Sequence, residues 1–241
     1  TVMIDTGGVS TQRAETALAD STILGGDSWA EKKLIPALQR TGVKTIDYLI
    51  LTHLHSDHAG GLAAICKRLR VKNILISRQA FSSRDWQMLS GAIDLSGTRV
   101  HALADTLSLH FGKQTLTIVH PDKGFTATDE NNASLVCRFD DTVRRYLFTG
   151  DIEAEAEGYL LANYPDLLAA DILKVPHHGS RGSSTAAFLD AVRAEEAWIS
   201  CSAGNVYGFP HQETLQRLRA AGMEVLTTAG GSISRPLAQK D

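Results

Sequence analysis

Cysteine is scarce in this chain. Cys66, Cys137 and Cys201 make an odd count with no CxxC spacing. A full disulfide framework is therefore excluded, one bridge at most is possible, and three small buried thiols are the simpler expectation. Long apolar runs are absent: nothing approaches the roughly 18–20 residues that span a bilayer. No charged segment followed by an apolar one marks a signal peptide. Aromatic residues make up only 6%. Surplus positive charge is missing too, with 24 Lys+Arg against 27 Asp+Glu and a net charge of −3. That balance argues against a broad duplex-DNA footprint. It leaves open a nucleic-acid enzyme whose positive charge is carried by bound metal. Internal repeats and low-complexity tracts are also lacking.

What is present is ordinary globular usage, 43% hydrophobic and 21% charged over 241 residues. A disordered chain, a coiled coil and a collagen-like repeat are excluded. The length suits one large domain or two small ones, with a sizeable core. Thr1–Asp5 reads as a strand already under way, as in a piece of a longer protein, and Asp5-Thr-Gly-Gly8 ends it in a permissive turn. Residues 9–27 read as a loop. An amphipathic helix is expected over 29–41, with Leu34, Ile35 and Leu38 on one face and Gly42 as C-cap. Ile46–Leu51 is a buried strand, Gly60-Gly61 opens a helix to about Leu69, and Ile74–Ile76 is the next strand. A helix is expected around 82–91. Val100–Leu103, Leu107–Phe111 and Thr115–Val119 read as three short strands. Ser134–Phe139 and Val143–Phe148 form a hairpin across Asp140-Asp141. Helices follow at 152–163, 184–194 and 212–221, strands at 172–175 and 197–200. Val225–Thr228 with Ser232–Ser234 closes the chain. A mixed β core covered by helices, with functional loops at strand ends, is the expected layout.

The sharpest feature is His53-Leu-His55-Ser-Asp57-His58. Four strong ligands fall within six residues directly after a buried strand, and imidazole with carboxylate suits Zn²⁺ and Mn²⁺. Alternate residues of an extended strand end point the same way, so His53 and His55 can share one ion. Asp57 and His58, past the bend, can reach a second. Three further clusters end or follow strands. Asp151 in Thr149-Gly-Asp151 can bridge two cations, although a strand-end Asp is more often a helix cap. One of His177 and His178 in Pro176-His-His-Gly-Ser180 is a candidate ligand. Lys174 is a candidate phosphate contact or a solvated strand residue. His211 opens the last clear helix. Lys67, Arg68, Arg70 and Lys72, with Arg144-Arg145, form small basic clusters: a solvated face, or a rail for a nucleic-acid backbone. Few aromatics are interleaved, so base stacking is not indicated.

These residues resemble the metallo-β-lactamase superfamily, whose ordered motifs are HxHxDH, then TGD, then a late His. The match narrows further. IDTGG at 4–8, IDYLILTHLHSDHAGGL at 46–62, ENNASLV at 130–136, YLFTGDIEAEAE at 146–157, LKVPHHGS at 173–180 and SAGNVYGFPH at 202–211 occur in order. Together they look like the C-terminal domain of the ComEC/Rec2 DNA-internalisation competence family, over nearly the whole chain. The resemblance implies an α+β fold, the αββα four-layer sandwich, as a single domain over 1–241. It implies a phosphodiesterase or nuclease that degrades the DNA strand not transported during competence. It also implies two divalent ions held by His53, His55, Asp57, His58, Asp151 and His178, with His177 and Asn132 as weaker candidates. The pattern His178 makes with Ser180 resembles late ligands of related phosphodiesterases. Asp57 would orient an activated hydroxide. His211 would contact the scissile phosphate or protonate the leaving group. The implied partners are DNA and a membrane channel of the same parent chain, on the extracytoplasmic side of the plasma membrane. No small organic cofactor is expected. A site without Cys is relatively hard, which favours Mn²⁺ with Zn²⁺ possible.

The family usually carries a further β-hairpin before IDTGG. Many superfamily members also place a His between HxHxDH and TGD. Here that stretch reads Asp129-Glu-Asn-Asn-Ala-Ser134, where Asn132 or a water would stand in, and His120 is the one His nearby. Two other functions remain as alternatives: another hydrolase of this fold (a lactonase, thioesterase or small phosphodiesterase), or a non-catalytic metal-binding module of the channel.

Overall fold

The computed structural model describes residues 1–8 and 29–237. The loop expected over 9–27 lies outside the described residues. The chain divides into two compact units, Thr1–Ala104 and Asp105–Asp241.

The first unit is built on a four-stranded parallel sheet: β1 (Val2–Ile4), β2 (Thr45–Ile50), β3 (Arg70–Ser77) and β4 (Arg99–Leu103), in that order. Parallel strands buried by crossover helices read as near-continuous apolar runs, which is how Ile46, Leu49, Ile50, Ile74, Leu75 and Ile76 come to be fully or almost fully buried. The helices are α1 (Ile35–Arg40), α2 (Ser56–Ala59), α3 (Leu62–Arg68), α4 (Arg78–Phe81) and α5 (Arg84–Gly91). One turn of π-helix, Ala30–Leu34, precedes α1. Ser77 and Ser83 cap α4 and α5 by accepting from Ala80 N and Trp86 N.

The second unit holds a seven-stranded sheet. Its strands are β5 (Leu107–Phe111), β6 (Gln114–His120), β7 (Val136–Asp140), β8 (Arg145–Phe148), β9 (Ile172–Lys174), β10 (Glu196–Ile199) and β11 (Glu224–Thr227), adjacent in chain order. β5 to β8 pair antiparallel and β8 to β11 parallel. The switch to parallel pairing follows from the long connections after β8. These are filled by α6 (Ala154–Asn163), α7 (Ala186–Val192) and α8 (Gln212–Ala220). Ile152, Leu160, Leu173, Phe188, Ile199 and Leu218 form the centre of this unit's core.

The three short strands expected over 100–103, 107–111 and 115–119 are present but belong to different sheets. β4 joins the parallel sheet of the first unit, and β5–β6 is a hairpin in the second. Three residues, 104–106, separate β4 from β5, and alternation alone cannot say which sheet a strand joins. Other expectations need correction. The β7–β8 turn is wider than two residues. Asp141 closes it by accepting from Val143 N and Arg144 N, and Thr142 takes a positive φ of 80°. Ser232–Ser234 is not a strand.

His120 ends β6, almost fully buried, and its Nε2 donates to Asn132 O at 2.9 Å. Its Nδ1 has no hydrogen-bond partner among the described residues, and the ring packs 4.5 Å from that of Phe125. Burial pushes the imidazole down from 6.5 to about 4. The sign follows directly. Below pH 6.5 the unfolded chain takes up a proton that native His120 refuses until about pH 4. Stability is therefore lost as pH falls through that window, by up to about 3 kcal/mol. His120→Phe is expected to flatten this slope, measured as urea midpoints between pH 4 and 7.

Candidate metal centre

In the first unit the candidate ligands stand on the loop that leaves β2. The parallel register pairs Ile4 with Ile50, so Asp5, just past β1, lies beside Leu51 and Thr52. Asp5 Oδ1 accepts from Thr52 N and its Oδ2 from Thr52 Oγ1, both at 2.8 Å. Oδ2 also meets His58 Nδ1 at 2.7 Å. With its hydroxyl proton given to Asp5, Thr52 Oγ1 accepts from His53 Nδ1 at 3.2 Å. This network assigns the proton of both imidazoles to Nδ1. Nε2 of His53 and Nε2 of His58 then carry the lone pairs.

His53 Nε2 faces Nδ1 of His55 at 3.1 Å. Two ligand atoms held about 2.1 Å from one tetrahedral cation lie about 3.4 Å apart, so the pair is close to the spacing of a chelate. His53 and His58 are buried, Asp57 is half-buried in the first turn of α2, and His55 is exposed.

Backbone pins the loop from both sides. Thr6 N and Oγ1 donate to His58 O at 2.7 and 2.9 Å, and Gly61 N donates to Gly7 O and Thr6 Oγ1 at 3.0 Å. Asp5 and Gly7 turn through positive φ, 58° and 65°, a region Asp tolerates better than most residues. A Cβ on Gly8 would sit 1.9 Å from Ser56 O, so only glycine fits against the ligand loop.

In the second unit, Asp151 and His178 meet. β8 runs into Thr149-Gly150-Asp151, with Gly150 at φ 53°, and Asp151 N donates to Ser134 Oγ. His178 Nδ1 donates to Ser200 O at 2.6 Å, which leaves its Nε2 lone pair facing Asp151 Oδ2 at 3.1 Å. An acceptor facing a carboxylate requires a cation, whether proton or metal. Lys174, the candidate phosphate contact, stands beside Asp151. Its Nζ donates to Gly150 O at 2.6 Å and pairs with Asp151 Oδ1 at 3.1 Å, which directs the other carboxylate oxygen to His178.

His177 and His178 both adopt left-handed backbone, φ 44° and 51°, a strained arrangement typical of functional turns. It sends the two rings apart: His177 Nδ1 pairs with Glu153 Oε1 at 2.8 Å. His211 starts α8, its N–H donating to Gly179 O and its Nδ1 accepting from Arg181 N, both at 3.0 Å. Asn132, the weaker candidate ligand, caps α6. Its side-chain oxygen accepts from Glu153 N and Ala156 N at the start of α6, and its amide donates to Asp129. Both oxygen lone pairs are used in capping. The basic clusters are partly neutralised: Arg68 pairs with Glu31, Lys72 with Asp47 and Arg145 with Asp171.

Among the described residues no helix is long and apolar enough to cross a membrane. The profile of the Metallo-beta-lactamase superfamily matches residues 1–203, and the chain belongs to that superfamily. Curated relatives with the competence family's names are among those it matches, as the ordered motifs implied. The chain is 33% identical over 228 residues to ComE operon protein 3 of Bacillus subtilis, covering 94% of this chain and 29% of that protein. It is 32% identical over 214 residues to Recombination protein 2 of Haemophilus influenzae, covering 85% of this chain and 24% of that protein. The chain thus spans under a third of the length of either relative. Tm1679, described as a metal-dependent hydrolase of the beta-lactamase superfamily, superposes with a TM-score of 0.52 at 12% identity over 85% of both chains. That likeness shows a shared α+β fold.

Sequence reasoning missed Asp5 and Thr52 as the residues that orient the imidazoles. If Asp5 sets the tautomer of His58, Asp5→Ala is expected to weaken divalent-metal affinity by about 10- to 100-fold. Competition against a chelating dye measures it.

Proposed function

We propose that this chain is a metal-dependent DNA phosphodiesterase that degrades the strand not transported during competence. In this reading residues 1–241 act as one domain of a longer membrane channel protein, on the extracytoplasmic side. The observation that carries it is the tautomer network. Asp5 and Thr52 direct Nε2 of His53 and His58 outward as lone pairs, and His53 faces His55 at chelate spacing. The donor set is imidazole and carboxylate without thiolate, which suits Mn²⁺ or Zn²⁺. The names of the relatives supply the link to DNA uptake.

The residues proposed to hold divalent ions are His53, His55, Asp57 and His58 in the first unit, and Asp151 and His178 in the second. When bound, divalent ions would lower the pKa of water toward neutrality and neutralise phosphate charge. Asp57, half-buried beside the imidazoles, orients the nucleophile for in-line attack. Lys174 keeps Asp151 turned toward His178. His211, held by the backbone of Gly179 and Arg181, would contact the phosphate or give a proton to the leaving oxygen.

A substrate panel tests this reading. With Mn²⁺ the domain should hydrolyse DNA and bis(p-nitrophenyl) phosphate while leaving a lactone and a thioester intact. Turnover of either ester with DNA untouched would move the chain to another chemistry of the same superfamily.

A further inference from the structure

Four rings gather around Phe209 in the second unit. Phe209 stacks on His178 with centroids 6.0 Å apart and 26° between planes, and Tyr207 stacks on Phe209 at 5.5 Å and 18°. His177 and His211 meet Phe209 edge-on at 5.4 and 5.1 Å. The result is a ladder of near-parallel rings, Tyr207–Phe209–His178. It runs from the imidazole beside Asp151 to a ring that is 41% exposed, next to Val206 at 64%.

The loop that carries this ladder is held rigid. Asn205 Oδ1 accepts from Phe209 N at 2.8 Å, and its Nδ2 donates to Phe209 O at 2.7 Å and Ser202 O at 3.0 Å. Gly208 supplies the positive φ, 72°, that the tight return needs. An apolar loop needed only for packing would turn its large side chains inward. Here the outermost ring is presented to solvent on a braced support, so little order has to be imposed when a flat partner binds.

We propose that Tyr207 and Phe209 form a stacking platform for an unpaired nucleobase next to the phosphate under attack. The inference rests on the proposed phosphodiesterase reading and deepens it by naming the substrate form. In a duplex both faces of each base are covered by neighbours, so a ring ladder selects a strand end or a single strand. Stacking is indifferent to base identity, since every base has a π-face. A domain without surplus positive charge thereby gains a grip on DNA that does not depend on phosphates.

The test is equilibrium binding of a short thymidine oligonucleotide ending in 2-aminopurine, in EDTA so that the strand stays whole. Native protein should quench the terminal fluorophore. Tyr207→Phe should behave as native. Tyr207→Ala should lose the quench and bind at least about fivefold more weakly. A strand with an abasic end should bind native and Tyr207→Ala alike. Equal affinity and equal quenching for native and Tyr207→Ala would overturn the proposal. So would competition by free dTMP as strong as that by the strand, which would assign the platform to mononucleotides. None of these readouts involves bond cleavage. If DNA is never hydrolysed but Tyr207 still quenches the base, the hydrolase reading fails and the platform stands. If DNA is hydrolysed with no quench, only the platform fails.

Discussion

Replacing Asp57 by Ala is expected to abolish metal-dependent DNA hydrolysis, by about 10³-fold or more, while the domain stays folded. Asp57 is half-buried in the first turn of α2, and its side chain belongs to no apolar cluster. The backbone of that turn is held independently. His58 N and Ala59 N donate to His55 O, and His58 O accepts from Thr6. Truncation should therefore shift stability by less than about 1 kcal/mol. The catalytic cost is of another order. A charged group that orients a nucleophile in a water-poor site contributes about 3–4 kcal/mol to the barrier, and a fall of about 10³-fold corresponds to roughly 4 kcal/mol. Asp57→Asn keeps the shape and loses the charge, so it should stay folded as Asp57→Ala does and show little activity. Initial rates on labelled DNA, beside circular dichroism of each variant, measure both quantities. Unchanged rates in Asp57→Ala would remove it from the chemistry.

The largest stability effect is expected at Glu157. This α6 carboxylate is fully buried and accepts from Ser184 N at 2.5 Å and Thr185 N at 2.8 Å. Burial raises its pKa against the pull of those amides and of Arg217. It anchors the amide side of the segment after His178. Arg217 and Thr214 bind the carbonyl side, at Ser180, Arg181, Ser183 and Ser184. Ser184 itself sits at φ 59°, a conformation that persists only where the surroundings impose it. Glu157→Ala would strand two amides in the interior and leave a cavity. The expected loss is about 3–5 kcal/mol, which lowers the melting temperature by about 10 °C for a chain of this size. Glu157→Gln retains one acceptor oxygen and should lose about half as much. Thermal unfolding of both variants decides it, and a fall of under about 1 kcal/mol in Glu157→Ala would contradict the assigned role.

The legible parts of this protein were those with local signatures. HxHxDH stood out because four ligands share one strand end, and β2, β3, β8 and β9 because buried parallel strands read as apolar runs. Asp5 left no such mark. Its partners Thr52 and His58 lie 47 and 53 residues away, and only the β1–β2 register brings them together. Lys174 and Asn132 were read for the chemistry of their side chains. Their actual neighbours, Asp151 and the first turn of α6, come from tertiary pairing. The same holds for the aromatic ladder. Aromatics are few and scattered in sequence, yet Tyr207, Phe209 and His178 converge through a turn that Asn205 closes. The pattern with Ser180 favours His178 over His177 in the sequence, and the two successive left-handed residues that separate their rings leave no local signature there.

The central claim is that this chain cuts DNA with metal held by its imidazoles and carboxylates. End-labelled linear DNA, incubated with the purified domain in Mn²⁺, Zn²⁺, Mg²⁺ or EDTA, tests it most directly. The account predicts degradation with Mn²⁺, none in EDTA, and recovery when Mn²⁺ is restored. Intact DNA under every condition, in a folded domain shown to have bound its ions, would contradict it.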